Sequence, residues 1–171
     1  MTNLGKSLWA GLCVAAVFTL AEGCGQGTGG CKGVMASGPW QPFLNPYGDG
    51  GLNPALGVSG LVAACEVGGQ TRVNLSVSHL PAGRPFGAHV HTLPCDAGAG
   101  GHYKNDPDGG TSAQNEVWLD FTTGSDGEGQ AVAQQSWKVT PGAAHSVVIH
   151  DHGTSDAGTA GPKLTCVDVP F

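Results

Sequence analysis

The sequence contains little charge. Only 12% of its 171 residues are Asp, Glu, Lys or Arg, and the seven Lys and Arg residues are scattered along the chain. A nucleic-acid-binding protein needs a clustered basic surface, so this class of partner is excluded. The length is enough for one ordinary domain.

A run long enough to span a membrane is also missing. The uncharged stretch at residues 8–20 is shorter than the roughly 20 apolar residues that a membrane-spanning helix requires. It follows Lys6 and precedes Ala21-Glu22-Gly23, an arrangement typical of a secretory signal peptide. We therefore expect residues 1–23 to be a signal peptide and the mature protein to be exported.

Two kinds of processing remain open at the end of this signal. Lipoprotein processing would leave Cys24 as a lipid-modified first residue, attached to the membrane through a Gly-rich tether. Ordinary cleavage would instead leave a periplasmic or secreted protein. Attachment to a membrane is expected only through a lipid on Cys24.

The sequence has no Cys-x-x-Cys pair, which argues against a zinc site built from cysteine thiolates. Two of its six cysteines lie in or beside the signal peptide. An even set in an exported chain is typical of disulfides, and the remaining four allow three pairings: Cys31, Cys65, Cys95 and Cys166.

A convincing amphipathic helix is absent after residue 23. Residues 24–57 are rich in Gly, Pro and Asn without periodicity, and we expect a linker there. From residue 58 the pattern is typical of strands, as in residues 71–79, where Val73, Leu75 and Val77 alternate with polar residues. Residues 58–171 are therefore predicted to form an all-β antiparallel sandwich or barrel, with strands near 58–67, 71–79, 86–91, 116–122, 130–139, 145–150 and 164–169.

Four histidines are candidate metal ligands. His89 and His91 are two residues apart on a predicted strand, so their side chains point to the same side. His102 follows in a loop and His150 ends an apolar run. Four imidazoles favour copper or zinc over hard cations. The other three histidines are expected to be structural or surface residues rather than ligands: His79, His145 and His152. Trp118 is expected to be a core or rim aromatic, and Asp151 a solvated loop residue.

Two stretches resemble the copper/zinc superoxide dismutases. They are GAHVHTLPCDAGAGGHYKNDP, from Gly87, and VVIHDHG followed by GTAGPKLTCVDV near the end of the chain. The resemblance covers roughly residues 58–169. It implies a Greek-key β-sandwich with seven to eight strands and an exported enzyme that converts superoxide to dioxygen and hydrogen peroxide, with copper carrying the electron.

The resemblance also implies roles for individual residues. Lys163 stands where the family has an arginine that docks the anion. Three histidines would bind copper alone, namely His89, His91 and His150. The fourth ligand, His102, corresponds to the histidine that bridges copper and zinc in two-metal members. The family disulfide would join Cys95 to Cys166, which leaves Cys31 to pair with Cys65.

One departure from the family concerns zinc. No histidine lies between His102 and His145, so the usual zinc ligands are missing and zinc is not expected. Glu116 stands where a zinc histidine usually lies, as in the copper-only branch of the family. We expect Glu116 to orient His102, with Asp120 as the alternative carboxylate.

Two other functions compete with superoxide dismutation. The missing zinc histidines and Lys163 are compatible with an envelope protein that binds or stores copper and has little activity. A purely structural domain with decayed ligands is disfavoured by the intact set of four histidines.

Overall fold

The computed structural model describes residues 32–43 and 57–171. The predicted signal peptide, Cys24 and Cys31 lie outside these residues. Within them no helix is long and apolar enough to cross a membrane. The strands are β1 Lys32–Pro39, β2 Gln41–Pro42, β3 Ser59–Val67, β4 Gln70–Ser78, β5 Pro85–Phe86, β6 Ala88–His91, β7 Phe121–Thr122, β8 Gly129–Gln135, β9 Ser146–His150 and β10 Lys163–Asp168, and a 3-10 turn covers Cys95–Ala97.

Two four-stranded antiparallel sheets form the sandwich. The first has the order β1-β3-β4-β8 and the second β2-β10-β9-β6, while β5 and β7 make a short separate pair. Strand β8 pairs with β4 although three strands intervene in sequence, which is the kind of connection found in Greek keys. The predicted fold class is therefore confirmed.

The β3–β4 hairpin shows how the sequence produces this fold. Val73, Leu75 and Val77 of β4 are at most 3% exposed, whereas the polar residues between them lie on the outer face. Gly68 and Gly69 connect the strands with positive φ angles of 58° and 84°, as a two-residue hairpin turn requires. The period-2 pattern thus identified a half-buried strand correctly.

The prediction of a linker over residues 24–57 is wrong for residues 32–43. Strand β1 pairs with β3 from Lys32 opposite Glu66 to Pro39 opposite Ser59, and β2 pairs with β10. This edge strand is held by backbone hydrogen bonds to β3. Its side chains therefore need not alternate between apolar and polar residues, and the sequence shows no strand pattern there. Trp40, only 3% exposed, joins the core beyond β1.

The predicted strand at 116–122 is mostly irregular. Only β7 is a strand, and Glu116 and Trp118 form isolated bridges to Lys104 and His89. The predicted strand at 86–91 is divided at Gly87, and the one at 130–139 ends at Gln135. The first two interruptions lie next to candidate ligands, and isolated backbone hydrogen bonds replace the regular ladder there, for example from Leu119 to the oxygen of Ala88 and from Gly87 to the oxygen of His152, each at 2.7 Å.

The second sheet positions the candidate site. Strands β6 and β9 are antiparallel neighbours, with His89 opposite Val148 and His91 opposite Ser146. All their residues are buried, because the core covers one face and the loops at 92–120 and 151–162 cover the other. The histidines lie on the face under the loops.

Candidate metal centre

Four histidines converge at this covered face. His89 and His91 come from β6, and His150 ends β9. His102 comes from the loop at 92–120, where its backbone pairs with that of His91 in an isolated β-bridge. Their candidate ligand atoms all lie within 4.8 Å of one another. The fold thus brings together all four histidines that the sequence singled out.

Two rings are fixed by backbone carbonyls. Nδ1 of His91 lies 3.1 Å from the oxygen of Gly100, and Nδ1 of His150 lies 3.0 Å from the oxygen of Gly161. A carbonyl can only accept, so Nδ1 carries the proton in each ring. The Nε2 atoms, which lie 3.2 Å apart, then present lone pairs to each other across the site.

The ring of His89 is turned the other way. Its Nε2 lies 2.8 Å from Oγ1 of Thr154. Its Nδ1 is fully buried and has no hydrogen-bond partner among the described residues. A buried polar atom without a partner is costly, and a metal ion within this cluster would satisfy it. The donor set therefore fits a metal that prefers imidazole, such as copper or zinc.

Burial keeps these imidazoles neutral. It is the largest cause that lowers the pKa of His89 to about 2, that of His91 to about 3 and that of His150 to about 4. Repulsion from the neighbouring histidines adds to the effect, and the charge of Lys163 also lowers the pKa of His91 and His150. Neutral rings have the lone pairs that metal binding requires.

Glu116 holds His102. Its Oε2 lies 2.8 Å from Nδ1 of His102 and accepts a second hydrogen bond of 2.8 Å from the indole nitrogen of Trp118. The glutamate is only 1% exposed. With Nδ1 engaged, Nε2 of His102 remains for a metal. The contact predicted between Glu116 and His102 is therefore present.

Asp120, the alternative carboxylate, has a different partner. Its Oδ1 accepts a hydrogen bond of 2.6 Å from the backbone N–H of Thr154, and its Oδ2 lies 4.0 Å from Nε2 of His89. The two carboxylates thus serve different histidines, Glu116 directly and Asp120 through Thr154.

Lys163 begins β10, and its side chain reaches the loop that precedes His102. Its ammonium donates hydrogen bonds of 2.7 Å to the oxygen of Gly98 and 2.5 Å to the oxygen of Gly100. Partial burial lowers the pKa of Lys163. An ammonium has three N–H donors, and these carbonyls occupy two of them.

Known solved structures resemble this chain, whereas known sequences do not. No protein-family model and no curated protein sequence matches the chain. Among solved structures, it is similar to the Cu/Zn superoxide dismutase from Brucella abortus, with 20% identity, a TM-score of 0.56, and coverage of 83% of this chain and 100% of that one. The chain has the copper/zinc superoxide dismutase fold.

On this dismutase fold the ligand clusters are few. Among residues 32–43 and 57–171, only two groups of three or more potential ligands occur, the four histidines and the group Cys95, Cys166 and Asp168. The second group does not offer free thiolates, because its cysteines are joined in a disulfide. Of these two groups, only the histidines offer four free donor atoms of the kind that copper or zinc prefers.

The disulfide attaches the loop of the site to the sheet. Cys95 begins the 3-10 turn and Cys166 lies in β10, and their bond matches the predicted pairing. The backbone N–H of Cys95 also donates a hydrogen bond of 2.7 Å to Oδ1 of Asp168. Cys65 is disulfide-bonded as well. Its predicted partner Cys31 lies outside the described residues, so this pairing stays a prediction.

Sequence reasoning missed several residues around the site. Trp118 contacts Glu116 rather than being only a core or rim aromatic. Asp151 is wrongly predicted to be an ordinary surface residue, since it is 6% exposed. Nη2 of Arg84 donates hydrogen bonds to both the carboxylate and the backbone oxygen of Asp151, each at 2.6 Å.

Thr154 had no signal in the sequence, because its contact with His89 spans 65 residues. The remaining histidines lie outside the cluster, as expected: His79, His145 and His152.

Proposed function

We propose that this chain is a copper-dependent superoxide dismutase that does not use zinc. The observation that carries the proposal is the cluster of four imidazoles, three of them buried and neutral, whose ligand atoms lie within 4.8 Å of one another. The dismutase fold supports it, because the cluster is carried by β6 and β9 of that fold. Copper binds imidazole and undergoes one-electron redox change, whereas zinc, the other metal that the donor set fits, does not change its oxidation state.

The chain's residues would divide the work as follows. Nε2 of His91, His102 and His150 and Nδ1 of His89 would hold the ion, since each opposite nitrogen is already bonded to the protein. Bound copper would supply the electron transfer between two superoxide anions. The protein supplies neutral ligands, a fixed geometry and a path for the anion.

His102 is the ligand suited to handle a proton. Its side chain is 18% exposed, whereas His89, His91 and His150 are at most 5% exposed. Conversion of two superoxide anions to dioxygen and hydrogen peroxide consumes two protons. We assign one of them to Nε2 of His102, which would carry the proton only while it does not hold the ion, and Glu116 would keep the Nδ1–H engaged and the ring in place.

Lys163 would dock the anion. Its charge is close enough to lower the pKa of His91 and His150, and two carbonyls fix its position. The third N–H donor would then be offered to superoxide. A lysine provides a point charge rather than the two-pronged geometry of an arginine, so anion capture would be less directional.

Glu116 supports a centre without zinc. Nδ1 of His102, the nitrogen that a bridging histidine would offer to a second metal, is engaged by this carboxylate instead. Copper binding or storage without turnover is the second candidate. It is favoured by one observation, namely that two of the three donors of Lys163 are turned towards Gly98 and Gly100.

Export to the periplasm or beyond is part of the proposal. The Cys95–Cys166 disulfide supports it, since disulfides persist in oxidising compartments. The attachment of a lipid at Cys24 is tested by the intact mass of the protein recovered from membranes. A mass equal to that of the unmodified chain from Cys24 onward would exclude the lipid.

Superoxide decay after pulse radiolysis separates the candidates. Copper-loaded protein is expected to accelerate decay in proportion to its concentration, with about one copper per chain for a single four-histidine site and no tightly held zinc. His91→Ala is the control that removes a ligand. Copper binding without faster decay would favour storage, and failure to bind copper would exclude both functions.

A further inference from the structure

We propose that Thr154 is a positioning residue of the metal site, which holds the ring of His89 so that Nδ1 faces the other three histidines. This inference rests on the proposed function, because it concerns a ligand of the same copper site. Thr154 belongs to the loop at 151–162 and lies outside the motifs that identify the four ligands.

The hydrogen bonds of the four rings lead to this assignment. His91, His102 and His150 each bind a protein oxygen through Nδ1, which leaves Nε2 for the metal. His89 is the exception, because its protein partner, Oγ1 of Thr154, lies 2.8 Å from Nε2. A neutral imidazole has one N–H and one lone pair, and the Thr154 hydroxyl can accept the N–H of Nε2, which leaves the lone pair on the buried Nδ1 that has no protein partner among the described residues.

Thr154 is the group in direct contact with His89. The nearest carboxylate oxygen, Oδ2 of Asp120, is 4.0 Å from Nε2, which is too long for a hydrogen bond. Asp120 acts one step further out, since its Oδ1 accepts the backbone N–H of Thr154 at 2.6 Å. The carboxylate therefore holds the threonine, and the threonine holds the ring.

Gly87 allows the loop to come this close. A Cβ at this position would lie 2.6 Å from Cβ of Ala160, 2.8 Å from the oxygen of His152 and 2.9 Å from Oγ1 of Thr154. The backbone N–H of Gly87 also donates a hydrogen bond of 2.7 Å to the oxygen of His152. The residue before β6 thus brings the loop onto the strand that carries His89.

The expected consequence is weaker and altered metal binding when the hydroxyl is lost. Without the hydroxyl, His89 could carry its proton on either ring nitrogen. The ring would also no longer be held with Nδ1 towards the cluster. Loss of such an outer partner commonly costs about 10- to 100-fold in metal affinity or activity.

The experiment compares three variants of the full protein. Thr154→Val keeps the shape and removes the hydroxyl, whereas Thr154→Ser keeps the hydroxyl. Thr159→Val is the matched control, since Oγ1 of Thr159 in the same loop bonds Ser155 at 2.8 Å instead of a ligand. The readouts are Cu(II) affinity by chelator competition and the Cu(II) electron paramagnetic resonance spectrum, neither of which depends on turnover.

Thr154→Val is expected to weaken copper binding by about 10- to 100-fold and to change the spectrum. Thr154→Ser and Thr159→Val should stay close to wild type. The inference is overturned if Thr154→Val matches wild type in both readouts, if Thr154→Ser is as impaired as Thr154→Val, or if Thr159→Val shows the same loss.

A second variant covers the case in which Thr154→Val does not fold. Asp120→Ala removes an exposed carboxylate from outside the core and releases the backbone of Thr154, so it should weaken copper in the same direction. An unchanged affinity and spectrum in this variant would then count against the inference. Wild-type protein that binds copper without dismutation would contradict the proposed enzyme and leave the inference standing.

Discussion

The two sheets of the sandwich are covered differently. The sheet β1-β3-β4-β8 buries one face and exposes the other, where Met35 and Val132 are 66% and 56% exposed. Strands β6 and β9 of the opposite sheet are buried on both faces. The loops at 92–120 and 151–162 cover the second face, and the Cys95–Cys166 disulfide and hydrogen bonds attach them to the sheet.

This difference separates stability from metal binding. The shared core of Val, Leu, Ile and Phe side chains stabilises the fold by removing apolar surface from water. The loop at 92–120 also contributes Tyr103, Val117 and Leu119 to this core, but the polar groups of the two loops determine which nitrogen each histidine presents. Substitutions in the first sheet should therefore change stability alone, and substitutions under the loops should change metal chemistry more than stability.

Removing the disulfide is expected to have the largest effect on stability, because it joins a loop of the site to a strand of the second sheet. Replacing both Cys95 and Cys166 by Ser releases a loop closed over 71 residues, and we expect the free energy of unfolding to fall by about 4 kcal/mol. Urea unfolding of the metal-free proteins measures it. A loss below about 1 kcal/mol would mean that the loop is held by its other contacts.

Leu75→Ala tests the first sheet alone. Leu75 is 2% exposed in β4, and truncating a buried leucine typically costs about 2–5 kcal/mol. Copper content and the Cu(II) spectrum of the folded fraction should not change, since β4 carries none of the ligands. A changed spectrum would show that the two regions are coupled through the core.

Glu116→Gln tests the covered face. Copper should be retained by the other three histidines, while the superoxide decay rate should fall by about 10- to 100-fold because His102 loses its charged partner. Glu128→Gln, the same change at an exposed site, is the control. Adding His102→Ala should cost little more than His102→Ala alone, since both changes remove one unit. Full activity in Glu116→Gln would contradict the assigned role.

Lys163 should have the smallest effect. Lys163→Met removes one charge near the site, and we expect a decrease in rate of several-fold, on the order of a single steering charge, with weaker dependence on ionic strength. Lys163→Arg keeps the charge and should retain or increase the rate. Equal rates and equal salt dependence for Lys163→Met and wild type would exclude anion docking by this residue.

The sequence predicted those features that local periodicity or spacing encodes. His89 and His91 share a face because a strand has a period of two, and alternating residues marked β4. Edge strand β1 was not predicted. Backbone hydrogen bonds to β3 hold it, and its Gly- and Pro-containing sequence does not reveal these bonds. Irregular loops have no period, so the contact of Thr154 with a strand 65 residues away required the structure.

The two carboxylates make the same point. Glu116 was assigned to His102 from its position in a motif, and the hydrogen bond of 2.8 Å agrees with that assignment. Asp120 was expected only as an alternative to Glu116, and its contact with Thr154 was not predicted, because that contact depends on which backbone N–H the loop at 151–162 brings to it. Which residue contacts which ligand is decided by the packing of two loops that are distant in sequence.

We propose that one copper ion at four histidines is sufficient for dismutation. The most direct test is the superoxide decay rate of the metal-free protein as Cu(II) is added stepwise, with and without zinc. For a single site we expect the rate to rise linearly up to one copper per chain and then to level off in the presence of a chelator for excess metal, with no effect of zinc. A rate that stays at the buffer value when copper is bound, or that rises only after zinc is added, would contradict this proposal.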